Sequence, residues 1–126
     1  RIDSSRVSRV AAVIEKHLEL RFSDQDIYVN IAGGMRVNEV GIELPLALAL
    51  YSARTSLPVA QGTAAAGELT LAGEVRPIRQ MAARAKAVRE LAYPRMIGPV
   101  TTETDETASW EAVSGVAQAV AAAFGE

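Results

Sequence analysis

Asp3-Ser4-Ser5 offers side chains able to cap a helix, and behind it the apolar residues Val7, Val10, Ala11, Val13, Ile14 and Leu18 recur at helical spacing. The pattern predicts an amphipathic first helix. Ile27, Val29 and Ile31 then alternate with Tyr28, Asn30 and Ala32 until Gly33-Gly34 interrupts, which predicts a strand running into a tight turn. From Ile42 through Tyr51 to Arg54 the chain is almost wholly apolar, the signature of a helix buried on most sides, with Pro45 in its first turn where a missing N–H costs little. After the Leu57-Pro58 break, Gly67 to Ile78 (GELTLAGEVRPI) reads as two short β-like runs joined at Gly73 and closed by Pro77. Met81, Ala85, Val88 and Leu91 alternate with Arg84, Lys86, Arg89 and Glu90, predicting a third helix over Arg79 to Leu91. A brief strand is expected at Arg95 to Gly98 and a last, Ala-rich helix at Trp110 to Phe124. The order helix, strand, helix, strands, helix, strand, helix argues for an α/β domain rather than a bundle or a sandwich.

The 126 residues suffice for one domain with an ordinary core, and 49% hydrophobic with 22% charged residues fits that reading. A formal net charge of −2 and a pI near 5.5 argue against a chain that binds nucleic acid through its overall charge, while leaving a local basic face open. There is no cysteine, which excludes disulfides, thiolate metal sites and cysteine nucleophiles. The longest apolar stretch, Leu44 to Tyr51, falls far short of the roughly 20 residues that cross a bilayer, and nothing resembles a signal peptide. A soluble, cytoplasmic protein with no membrane partner is therefore expected. Because the chain opens on Arg1 without a methionine, residues 1–126 are expected to be a single domain cut from something longer.

Candidate chemistry is sparse. His17 is the only histidine; it lies mid-helix beside Lys16 without a visible carboxylate or hydroxyl partner and reads as a surface residue. Glu103, Asp105 and Glu106 are loosely spaced and read as a solvated loop, so no metal site is expected. No Gly-x-x-x-x-Gly-Lys-Ser/Thr sequence is present to cradle a nucleotide, and Gly33-Gly34 lacks dinucleotide-site spacing.

The Gly67 to Ile78 segment resembles the corresponding part of Lon-type peptidase domains, whose Ser-Lys dyad needs a hydroxyl beside a neutral lysine. Counting back from Pro58-Val59, which sit where those domains also carry Pro-Val, the nucleophile position falls on Gly41. Counting forward from the Gly-Glu-x-x-Leu-x-Gly-x-Val-x-Pro-Ile pattern, the lysine position falls on Ala82. Glycine offers no nucleophile and alanine no base. A relocated dyad would have to use Ser52 and Lys86, displaced from the family register by about three helical turns and about one.

Along its whole length the chain is similar to the C-terminal Lon-like domain of the RadA (Sms) family of bacterial DNA-repair proteins. The segment Asp26-Ile27-Tyr28-Val29-Asn30-Ile31-Ala32-Gly33-Gly34 is the most specific match. Glu39-Val40-Gly41-Ile42-Glu43-Leu44 stands where the family has Glu-Pro-Ala-Ala-Asp-Leu, and Ile97-Gly98-Pro99 where it has Ile-Val-Pro. The motif positions are Asn30, Gly33, Gly34, Gly67, Glu68, Gly73 and Pro77, with Asn30 expected to be a buried, hydrogen-bonded strand residue; the β-hairpin that normally precedes Asp3 is missing.

The resemblance implies a ribosomal protein S5 domain 2-like fold, a mixed sheet packed with helices. It implies a non-proteolytic scaffold that forms a homo-oligomer, a hexameric ring, and can contact DNA and recombination proteins. It further implies a full-length DNA-dependent ATPase in which ATP, Mg and Zn belong to missing N-terminal parts, leaving no cofactor here. Arg1, Arg6, Arg9 and Arg36 are the candidate DNA contacts, since arginine pairs well with phosphate; the alternative is that they solvate a helix face or bridge subunits. Two other functions stay open: an active Lon-type peptidase with the relocated dyad, and a module that binds proteins only.

Overall fold

Asp3 accepts hydrogen bonds from the Ser5 amide (3.3 Å) and the Ser5 hydroxyl (2.6 Å) and so caps α1 (Ser4–Leu18). The apolar stripe of that helix buries Val10, Ala11, Val13 and Ile14. The structure, a computed structural model, describes residues 2–32, 38–102 and 110–125. A 3₁₀ turn at Val40–Ile42 leads into α2 (Glu43–Thr55), with Pro45 in the first helical turn, as its missing N–H requires. Then follow β1 (Thr63–Ala65), β2 (Glu68–Leu69), β3 (Val75–Arg76), α3 (Met81–Glu90), β4 (Arg95–Pro99), β5 (Trp110–Val113) and α4 (Val116–Phe124). The expected mixed α/β architecture is the one the chain adopts.

Strands β1, β4 and β5 form a parallel sheet in the order β1-β4-β5, with Thr63 opposite Arg95 and Ile97 opposite Glu111. Successive side chains on β4 point to opposite faces, and both faces are covered. Ile97, with Val113, joins the main core of α1, α2 and α4. Met96 faces the other way and packs with Met81 of α3, Ile78, Ala64 and Trp110. Arg95 pairs with Glu111 on β5 at 3.0 Å and donates to the Ala122 carbonyl of α4, fastening the start of β4.

The β2-β3 hairpin turns at Gly73, whose φ of +80° favours a residue without a Cβ. A Cβ there would also lie 2.9 Å from the His17 ring. His17 lies against this turn, its Nε2 3.1 Å from the Leu71 carbonyl. The Gly73 carbonyl accepts from the Val116 amide at 2.8 Å, so the same turn receives α1 and the start of α4.

Three expectations need correction. Residues 27–31 form no strand, Asn30 is exposed rather than buried, and Tyr28 is 91% exposed. A strand exists through its ladder, and none of the described residues supplies one here; only Ile27 packs against the core. Secondly, the last helix does not begin at Trp110. Trp110 to Val113 pairs with β4, Gly115 is extended (φ −147°, ψ 163°), and the helix starts only at Val116. Finally, β1 was absent from the expected order because Thr-Ala-Ala has weak strand preference, and its pairing with β4 imposes the conformation. Gly33 and Gly34 lie outside the described residues.

Gly98 explains one departure from the family pattern. A Cβ at this position would sit 2.9 Å from Cζ2 of Trp110 and 3.3 Å from the Ala66 carbonyl. The indole occupies the place that the family's valine would fill, and its N–H donates to the Pro99 carbonyl at 3.2 Å.

Replacing Gly98→Val is expected to push Trp110 off the strand, cost about 1–3 kcal/mol as overpacking does, and red-shift the emission of the chain's single tryptophan. Denaturant unfolding followed by fluorescence reads both effects. A second expectation concerns pH. Hydrogen bonds from Ser5 hold the Asp3 carboxyl below its ordinary value of 3.8. The folded value being depressed, the cap's contribution is full above 3.8 and is lost as pH falls through the folded value. The Ser5 amide resonance should therefore titrate below pH 3.8, and Asp3→Asn should abolish that titration.

Candidate functional site

Backbone hydrogen bonds fix Gly41, the nucleophile position. Its carbonyl accepts from the Gly67 amide at 3.1 Å, and the Gly67 carbonyl accepts from the Leu44 amide at 3.1 Å, so the start of α2 is stitched to the segment before β2. Gly67 itself has no room for a side chain, since a Cβ would approach Val75 to 3.0 Å. Motif residues Gly67 and Gly73 thus act through close approach, while Glu68 is half-buried at the hairpin and Pro77 is exposed after it.

A side chain at Gly41 would meet the ends of three neighbouring side chains. A Cβ would lie 2.5 Å from Cδ1 of Ile78, 3.2 Å from Oε1 of Glu39 and 3.3 Å from Nη1 of Arg84. Glu39 and Arg84 form an ion pair, and Arg84 Nε donates to the Arg79 carbonyl at 2.9 Å. Ala82, the lysine position, is exposed on α3. Of the relocated pair, the Ser52 hydroxyl donates to the Leu57 carbonyl just beyond its helix, and Lys86 is exposed.

Next to this position sits the one buried charged residue among those described, Glu43, at 1% exposure. One carboxylate oxygen accepts from the Leu69 amide at 3.0 Å; the other is hydrogen-bonded by Arg9 Nη2 and lies 3.3 Å from Arg6 Nε. Arg6 also donates to the Glu39 carbonyl at 3.0 Å, and Arg9 lies 3.4 Å from the Leu69 carbonyl. The Glu43 hydrogen bond pushes Arg9 further from deprotonation than a free arginine, against the opposing effect of partial burial. At the first position of α2 the carboxylate also meets the positive end of the helix dipole.

Arg6 and Arg9, two of the candidate DNA contacts, therefore have their charge turned inward onto Glu43. Arg1 and Arg36 lie outside the described residues, as do Glu103, Asp105 and Glu106. Glu43 and Arg84 were not singled out in the sequence; an acidic residue at the head of an apolar helix, two places after Gly41, was the available signal. Among the described residues no group of three His, Cys, Asp or Glu could hold a metal ion, and no helix is long and apolar enough to cross a membrane. A hollow of about 280 Å³ lies elsewhere, lined by Phe22, Ile27, Tyr28, Leu50 and Arg54 among others.

Glu43→Gln is expected to destabilise the fold by roughly 3 kcal/mol, the low end for breaking a buried ion pair because both guanidinium groups keep some contact with water. Urea unfolding at low and high salt checks it. Because the pair is buried, the loss should persist in high salt, unlike that of a surface pair.

The family model described as subunit ChlI of Mg-chelatase matches residues 2–102. A protein named DNA repair protein RadA from Treponema pallidum (strain Nichols) is 48% identical over 98% of this chain and 28% of its own length. Those of the same name from Bacillus subtilis (strain 168) and Escherichia coli (strain K12) are 36% and 34% identical, each over 78% of this chain and 21% of their own. The chain thus spans little more than a quarter of the first relative's length and about a fifth of the other two. With its Gly41 turn, its glycine hairpin and its mixed α/β core, the chain belongs to the ChlI-type domain family, in the form carried by the bacterial RadA proteins.

Proposed function

We propose that this chain is a non-proteolytic, Lon-like scaffold domain of a DNA-repair and recombination ATPase, and that it supports assembly into a hexameric ring and contact with DNA. The observation that supports the reading is the pair of residues in the peptidase register: Gly41 has no hydroxyl and Ala82 no amine, with Ile78 and the Glu39–Arg84 pair beside Gly41. The hairpin and the α2 start that frame this position are nonetheless kept in order by Glu43 and the Gly67 stitch. A fold maintained around a position without catalytic side chains fits a role in holding other parts together.

The relatives' shared name supports DNA repair as the setting, and their greater length leaves room for an ATPase and its ATP, Mg and Zn outside the span matched here. The name chelatase belongs to the subunit after which the matching family is described. Recombination proteins would be partners of the assembled protein, in the cytoplasm.

Incubation with unfolded casein and a fluorescent serine-reactive probe is expected to give neither turnover nor label. Turnover that vanishes in Ser52→Ala or Lys86→Ala would replace this reading with the peptidase. Light scattering is expected to find ring-sized particles, and DNA titration should show affinity that falls steeply with salt. Assembly without any DNA affinity would favour a module that binds proteins only, and a monomer at high concentration that ignores DNA would sink the scaffold reading.

A further inference from the structure

Arg95, at the start of β4, engages other elements with both terminal nitrogens of its guanidinium: Nη1 lies 3.0 Å from Glu111 Oε1 on β5, and Nη2 donates to the Ala122 carbonyl of α4. Its Nε–H is left over. That nitrogen is withdrawn from solvent without a hydrogen bond, and so is the hydroxyl oxygen of Thr63 on β1. Among the described residues these are the two buried side-chain polar atoms that lack a partner. They belong to residues set opposite each other across the parallel β1-β4 ladder, where paired residues project to the same side of the sheet. Two places further along, the paired Ala65 and Ile97 both pack into the main core, so Thr63 and Arg95 share the face that α4 covers. A polar group taken out of water and left unpaired is costly, and folded interiors meet that need with a neighbouring group or a held water.

We propose that a single water molecule is bound between Thr63 and Arg95, accepting from the Arg95 Nε–H and donating to the Thr63 Oγ1. Spacing supports it: adjacent strands run about 4.8 Å apart, a gap that one bridging water fills. Charge decides what kind of ligand fits. The Arg95 cation is already matched by Glu111, which favours a neutral molecule over an anion. A hydroxyl both donates and accepts, so Thr63 serves the water in either orientation. With the water bound, polar contacts run from β1 through Arg95 on β4 to β5 and α4. They tie β1 at its first residue, in a strand whose Thr-Ala-Ala sequence has weak preference of its own.

Water-selective NOE and ROE spectra of the isotope-labelled protein, recorded cold so that proton exchange is slow, test the proposal. A held water gives NOE and ROE cross-peaks of opposite sign, whereas passing bulk water and proton exchange each give peaks of the same sign in both. Opposite signs are expected at the Arg95 Nε–H and at the Thr63 methyl, a reading that needs no variant. Same-sign peaks, no peak, or a held water at only one of the two groups would overturn the proposal. Thr63→Val keeps the shape of the side chain without its hydroxyl and is expected to lose the Arg95 cross-peak, while Thr63→Ser keeps it. A Thr63→Val protein that folds and retains the peak at wild-type intensity would show that threonine does not hold the water. A saturable shift of the Arg95 Nε resonance on adding chloride at constant ionic strength would assign the place to an anion, and the water would be ruled out.

Discussion

The arrangement of α1, α2 and the β2-β3 hairpin depends on one buried carboxylate. Glu43 lies at the start of α2, yet its bonds go to α1 through Arg6 and Arg9 and to β2 through the Leu69 amide. Removing a charge from water is costly, and it is tolerated here because each carboxylate oxygen has a partner and the helix dipole favours the negative end. The directional bonds do what apolar packing cannot: they set the rotation of α1 against α2 and the height of the hairpin above both. The main core then packs Ile14, Leu44, Leu69 and Ile97 within that frame.

The same frame leaves the side chains at Gly41 and Ala82 without a structural duty. The nucleophile position is held by main-chain bonds between Gly41, Leu44 and Gly67, none of which requires a side chain at Gly41. The base position is on the exposed side of α3, where Ala82 contributes helix propensity and little else. Neither residue contributes a side chain to the core, and Ile78 and the Glu39–Arg84 pair stand beside the Gly41 position.

Sequence alone made α1, α2, α3 and the β2-β3 hairpin legible, because each has a cap, a period or a glycine turn within its own span. What escaped it depends on partners distant in the chain. Thr63 to Ala65 becomes a strand only because Arg95 to Ile97 lies beside it, and Trp110 to Val113 leaves the helix predicted for it because β4 offers a ladder. The converse holds for residues 27–31, whose alternation is ideal but meets no partner strand among the described residues. At the site, the loss of serine and lysine could be read by counting, whereas the inward turn of Arg6 and Arg9 could not: an arginine on a helix looks the same in sequence whether it faces water or a carboxylate 34 or more residues away.

The Gly41 position also bears on how readily side chains can be exchanged around it. A serine there would press its Cβ on the Ile78 Cδ1 methyl, the far end of a side chain that can rotate aside. A lysine at Ala82 would add one more exposed cation to α3. Chemistry at this place is therefore set by which side chains stand there and not by a shortage of room.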